Sequence, residues 1–257
     1  MCHNGRTMSA NTIAVLIIGD EILTAQVRET NLAVILEAFT HAGYTVAEAR
    51  IVRDVPEQIA VAFRELSDTY EYVVSAGGIG PTHDDVTLEA AAAAFGAEVA
   101  VHPGMNVFLE QIYGDRMNDA VSRMARLPVG ADVSIRDDIH WPIIRFRNCF
   151  ILPGLPLALK EKIECILELI PRRDALWVAR LYLDIGESPI AAELTDLQER
   201  HRTVAVGSYP VLGDAEYKTR VTFRGADRKT VDVAMADAIT VFEPTGVIVR
   251  IDPPEQL

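Results

Sequence analysis

The chain has 257 residues, of which 49% are hydrophobic and 24% charged. That is the balance of a folded protein with a sizeable core, not of a disordered, collagen-like or low-complexity chain. Twenty-four Lys and Arg against 37 Asp and Glu leave a net charge of −13, which opposes phosphate backbones and excludes nucleic acid as an expected partner. Three cysteines, Cys2, Cys149 and Cys165, are too few for a disulfide framework and lack CxxC spacing, so thiols in a reducing cytoplasm are expected.

Residues 1–11 are polar, carry no cleavable-signal pattern and are expected to fray, with Met8 as a second candidate start. The apolar run Ile13–Ile18 suits a strand buried on both faces. It is too short to span a bilayer and meets Asp20 and Glu21 at once, so no membrane is expected as a partner. Residues 30–41 place Leu32, Ile35, Leu36 and Phe39 on one helical face, with Gly43 just beyond the end. Residues 44–52 read as a strand, 56–66 as a helix opened by Pro56, and 72–75 as a third strand. An Ala-rich helix over 84–95 follows a glycine turn. This alternation predicts a three-layer α/β/α domain with a mostly parallel sheet. Further along, 104–127 reads as helical, 143–146 and 149–152 as strands, and 157–170 as an amphipathic helix stopped by Pro171.

The remainder follows a different order. Strands are expected at 176–185, 203–209, 217–224 and 247–251, and helices at 189–201 and 228–242. That βαββαβ order predicts a smaller α+β, ferredoxin-like domain. The expected domains are 12–171 and 175–257.

The most informative stretch is Gly77-Gly78-Ile79-Gly80-Pro81-Thr82-His83-Asp84-Asp85-Val86-Thr87, between a buried strand and a helix. Glycines there let backbone N–H groups approach a phosphate, and Thr82 adds a hydroxyl. Gly77, Gly78, Gly80 and Thr82 are therefore the candidate phosphate- or nucleotide-binding residues. The spacing is neither a dinucleotide fingerprint nor a Walker loop. A helix cap would explain Asp84 or Asp85 but not both, and adjacent carboxylates repel unless a cation lies near. Asp20-Glu21 follows the first strand and Asp54 the second, so the topology delivers five acids to one sheet edge. Hard carboxylate oxygens suit Mg²⁺ or Mn²⁺, which makes Asp20, Glu21, Asp84 and Asp85 candidate metal ligands. His83 is read equally as a ligand contact or an exposed loop residue. His41, His102, His140 and His201 show no metal-ligand spacing. Leu152-Pro153-Gly154-Leu155-Pro156 is read as a stiff turn in preference to a backbone approach to the site. Tyr209, in Gly207-Ser208-Tyr209-Pro210, is read as a core or interface residue in preference to a base-stacking one.

The glycine–acid motif, with Gly19-Asp20-Glu21-Ile22-Leu23 and Thr30-Asn31 upstream, resembles the molybdopterin-binding (MoaB/Mog-like) domain, in its CinA branch. The likeness is closest to the N-terminal molybdopterin-binding-like region of FAD synthase. The resemblance implies a site at the glycine loop with two functional aspartates, which fall on Asp54 and Asp85. It further implies either metal-dependent cleavage (Mg, Mn or Co) of FAD or ADP-ribose to AMP, or capture of molybdopterin without catalysis. Mog-like sequences place a basic residue where Asp84 stands, and that departure favours the metal-dependent pyrophosphatase. The expected ligand is a small nucleotide or pterin, and the expected assembly a homodimer through the second domain. Neither the deamidase domain of CinA nor the FAD-making domain of FAD synthase follows in the 257 residues, so neither activity is expected.

Overall fold

A computed structural model describes residues 9–136, 141–174, 176–213 and 216–257. Cys2, Met8 and His140 lie outside them. The chain divides into two compact units that meet between Arg173 and Asp174.

The first unit runs β1 (Ser9–Ile18), α1 (Asp20–Leu23), α2 (Asn31–His41), β2 (Thr45–Val52), α3 (Pro56–Thr69), β3 (Tyr70–Ala76), α4 (Thr87–Ala94), β4 (Val99–Val101), α5 (Pro103–Tyr113), α6 (Asp119–Arg123), β5 (Arg126–Pro128), β6 (Asp132–Ser134), β7 (Ile143–Phe146), β8 (Cys149–Leu152) and α7 (Pro156–Leu169). Six strands form one sheet in the order β2-β1-β3-β8-β7-β6. The first four are mutually parallel, and β7 runs antiparallel to both of its neighbours, β8 and β6. Ile13, Val15 and Ile17 of β1 pack with Ile35, Phe39, Leu159, Ile163 and Ile166 on the α2/α7 side. Ala14, Leu16 and Ile18 pack with Ile59, Phe63, Leu66 and Leu88 on the α3/α4 side. Both faces of β1 are therefore apolar, which is why it reads as an unbroken hydrophobic run.

The expected layers are present, with differences at their edges. The first strand starts at Ser9, within the stretch expected to fray. The region expected to be helical over 104–127 is broken: α5 ends at Gly114, which has positive φ, Asn118 caps a short α6, and β5 follows. Strands β4, β5 and β6 have three residues each, too few for a period to register. Helix α4 begins at Thr87, three residues later than expected, so Asp84 and Asp85 stand in the preceding turn and cap nothing in that helix.

The second unit runs β9 (Trp177–Leu183), α8 (Ala191–Arg200), β10 (Ala205–Pro210), β11 (Thr219–Gly225), α9 (Arg228–Phe242) and β12 (Ile248–Gln256). Its sheet order, β10-β11-β9-β12, is antiparallel throughout, the ferredoxin-like split arrangement expected from the element order. Val221, Phe223, Ala179 and Leu181 pack under Val231, Ala234 and Ala238 of α9.

Phe150 is fully buried in the first unit's sheet. Phe150→Ala should lower unfolding free energy by about 3–5 kcal/mol; denaturant titration reads this, and a loss below about 1 kcal/mol would mean the packing around Phe150 is not as described.

Candidate functional site

The carboxyl ends of β1, β2, β3 and β8 lie at one edge of the sheet, where ligands of open α/β sheets bind. A cleft of about 400 Å³ opens there, lined among others by Glu21, Asn31, Asp54, Gly77, Gly78, Gly80, Asp84, Asp85 and Gly154.

The glycine loop is positioned by backbone bonds. Gly77 N–H donates to the Leu152 carbonyl at 3.0 Å, and Thr87 closes the turn with its N–H on the Gly78 carbonyl and its hydroxyl on the Gly77 carbonyl. Gly77 has φ +115°, and a Cβ there would lie 2.0 Å from the Ile18 carbonyl oxygen. At Gly78, φ is +66° and a Cβ would lie 2.3 Å from the Thr87 hydroxyl. Only glycine fits either position. The N–H groups of Gly78, Ile79 and Gly80 have no protein acceptor among the described residues.

The acids differ in their engagement. Asp20 accepts both arms of Arg53, at 3.0 and 2.7 Å, and the Asp54 N–H at 3.2 Å. The Arg53 guanidinium holds its pKa below the ordinary aspartate value. Asp20 is thus occupied by an ion pair and does not line the cleft. Asp54 accepts the Asp20 N–H at 2.7 Å. Its burial, with the charges of Glu21, Asp20 and Asp84 nearby, nevertheless raises its pKa. Asp85 accepts the Thr82 N–H at 2.8 Å and the Thr82 hydroxyl at 2.5 Å. Thr82 therefore directs both donors to Asp85 and neither to the cleft, unlike the phosphate contact expected of it. Asp84 lines the cleft. The His83 side chain is 97% exposed and stands 4.0 Å from Asp84.

The sequence reasoning set one feature of this corner in second place and missed two others. Gly154 comes within 3.6 Å, measured from a Cβ built on it, of the Gly77 Cα, so the Leu152–Pro156 turn does bring backbone to the site. Asn31 is 7% exposed and donates its side-chain N–H to the Gly154 carbonyl at 2.8 Å, while its Oδ1 is buried without a donor. Because a carbonyl can only accept, that contact fixes the amide orientation and leaves an orphan acceptor beside the cleft. Glu29 anchors this corner by accepting the N–H groups of Asn31 and Leu32 at 2.7 and 3.0 Å. An Asn one residue into a helix after Thr30 was the available signal, and periodicity does not reveal its burial.

The described residues contain no group of three His, Cys, Asp or Glu side chains arranged to hold a metal. The carboxylates share a cleft without forming a closed cage. This donor set fits a Mg²⁺-like ion taken up by one or two carboxylates together with phosphate oxygens, and does not fit a resident, fully protein-ligated ion.

A model of the probable molybdopterin binding domain matches residues 14–172. The chain belongs to that family. A model of the FAD synthase middle domain matches residues 175–250. A probable FAD synthase from Caenorhabditis elegans is 28% identical over 91% of this chain and 50% of its own length, so the chain spans about half of that relative. A protein from Thermococcus kodakarensis is 32% identical over 89% of this chain and 98% of its own. The crystal structure of a CinA protein of unknown function from Thermoplasma acidophilum superimposes with a TM-score of 0.59 at 28% identity, covering 63% of this chain and 99% of that one. The molybdopterin-binding-type fold, the CinA likeness and the FAD synthase likeness all stand as the motif suggested. Among the described residues no helix is long and apolar enough to cross a membrane.

Gly77→Ala should cost about 2–4 kcal/mol, from positive φ and the clash with the Ile18 carbonyl; a denaturation midpoint equal to the parent's would contradict this geometry. Asp54 makes the opposite prediction. Its raised pKa means the folded state binds the proton more tightly than the unfolded chain, so stability falls as pH rises through that pKa. Asp54→Asn should therefore melt above the parent at pH 7, with the gap closing below about pH 4; thermal melts across that range check it, and a lower midpoint at pH 7 would refute it.

Proposed function

We propose that the chain is a divalent-cation-dependent hydrolase of an adenine-containing pyrophosphate, FAD or ADP-ribose, releasing AMP. The observation that carries this reading is the pairing of unsatisfied N–H groups at Gly78, Ile79 and Gly80 with the carboxylates Glu21, Asp54, Asp84 and Asp85 along one cleft. The N–H groups suit phosphate oxygens. The carboxylates would repel those same oxygens unless a cation accompanies them. A bound divalent ion would neutralise charge on the pyrophosphate and lower the pKa of an attacking water.

The chain's own residues supply the rest. Gly78, Ile79 and Gly80 hold phosphate oxygens through their N–H groups. Asp54, with its proton affinity raised by burial and neighbouring acids, takes the proton from water as the water oxygen bonds to phosphorus and the bridging P–O bond breaks. The products are AMP and FMN, or AMP and ribose 5-phosphate. Asp85 holds the loop through Thr82 and can offer its other oxygen to the cation. Asn31 Oδ1 accepts a hydrogen bond from the ligand, with an exocyclic amine or a sugar hydroxyl as suitable donors.

The second reading, a pterin-binding protein without catalysis, is favoured by the family match over residues 14–172. A screen of FAD, ADP-ribose, NAD and CoA against Mg²⁺, Mn²⁺ and Co²⁺, scored by AMP release, separates the two. FAD or ADP-ribose should release AMP only with a metal, and Asp85→Asn should lower turnover at least 100-fold with the fold intact. Tight pterin binding with no AMP released under any metal would decide for the second reading, and full turnover by Asp85→Asn would remove Asp85 from the site.

A further inference from the structure

The second unit's sheet covers its helices with one face only. On β11, Val221 and Phe223 enter the core, so Arg220, Thr222 and Arg224 alternate onto the opposite face. Strand register sets three rows across β10, β11 and β9, with the β11 residue in the middle of each: Gly207, Thr222 and Arg180; Tyr209, Arg220 and Tyr182; and Ala205, Arg224 and Val178. A concavity of about 410 Å³ lies on this face, and Arg180, Gly207, Tyr209, Arg220, Thr222 and Arg224 contribute to its lining.

The charges there are unevenly matched. Arg180 pairs with Glu255, and Arg250 lies near Glu216 and Asp252. Arg220 and Arg224, nearer β10, have no carboxylate partner among the described residues. Arg220 lies over the Tyr209 ring at 5.0 Å, and its Nε is buried without an acceptor. An orphaned guanidinium donor is unusual in a folded chain and suits an anion that completes it. In a chain of net charge −13, two unpaired arginines on the same face of one strand are not the general surface pattern. Gly207 lets the Tyr209 ring lie close over the sheet, since a Cβ there would meet the Thr222 hydroxyl at 3.2 Å and the Tyr209 hydroxyl at 3.3 Å. Tyr209 is 49% exposed and presents an aromatic surface at the rim.

We propose that this open sheet face is a second ligand site that takes a nucleoside phosphate, with Arg220 and Arg224 on the phosphate and Tyr209 against the base. Guanidinium groups match phosphate oxygens in charge and planar donor geometry, and a base stacks on an aromatic ring with little dependence on its identity. The site is independent of the acidic cleft in the first unit, where the phosphate is met by backbone N–H groups and carboxylates.

The test is titration of the full isotopically labelled chain with AMP, inorganic phosphate and adenosine, read at the amide resonances of Gly207, Thr222 and Gly225. AMP should shift them saturably, at least fivefold more tightly than inorganic phosphate. Arg224→Gln, at an exposed position, and Arg220→Gln should each weaken AMP at least tenfold. Tyr209→Ala should weaken AMP but leave inorganic phosphate unchanged, and Asp85→Asn should leave these shifts as they are. No saturable shift with AMP or phosphate, undiminished AMP shifts in the arginine variants, or a response to a single-stranded oligonucleotide without one to AMP would each overturn the proposal.

Discussion

Like charge gathered at the end of a parallel sheet is the constraint on which the rest of the first domain depends. Glu21, Asp54, Asp84 and Asp85 share a cleft because strands running the same way must deliver their following residues to the same edge. Asp20 is relieved by Arg53. Asp54 is not relieved to the same degree, and burial with the neighbouring acids makes its proton harder to lose. A folded chain tolerates such crowding where function requires it. Among the described residues the acids do not close into a metal cage, and under the proposed function the compensating charge comes with the ligand.

The glycine loop is the second half of the same design. Its path past the Ile18 carbonyl leaves no space for a side chain at Gly77, and Thr87 fills the corresponding space at Gly78. This close threading holds backbone N–H groups of the loop beside the acids. Gly154 and Asn31 close the other wall. The result is a cleft whose donors are backbone and whose acceptors are side chains, a combination suited to a phosphate group accompanied by a cation.

Much of this was legible in the sequence for identifiable reasons. The apolar run Ile13–Ile18 and the helical spacing of Leu32, Ile35, Leu36 and Phe39 carry strong periodic signals, and the βαββαβ order of the second domain follows from its strands and helices alone. The convergence of Asp54, Asp84 and Asp85 follows from strand direction. What could not be read was the pairing of individual side chains. Nothing in Asp20-Glu21 or Val52-Arg53-Asp54 tells that Arg53 takes Asp20 and leaves Asp54 to the cleft, because that choice depends on two loops 33 residues apart. Thr82 looked like a phosphate donor from its place in the loop, yet its hydroxyl and N–H both find Asp85 three residues on. The burial of Asn31 and the unpaired Arg220 beside Tyr209 belong likewise to tertiary packing and strand register.

Under the proposed function, cation and pyrophosphate enter the acidic cleft together, each improving the affinity for the other by the same factor. Calorimetric titration of a non-hydrolysable, methylene-bridged ADP-ribose analogue, with Mg²⁺ and then with EDTA, measures that coupling directly. Binding of the analogue should be at least tenfold tighter with Mg²⁺ than without it, and Mg²⁺ alone should bind little. Equal affinity for the analogue in EDTA would show that the carboxylates do not need a cation to admit a pyrophosphate, and would contradict that coupling.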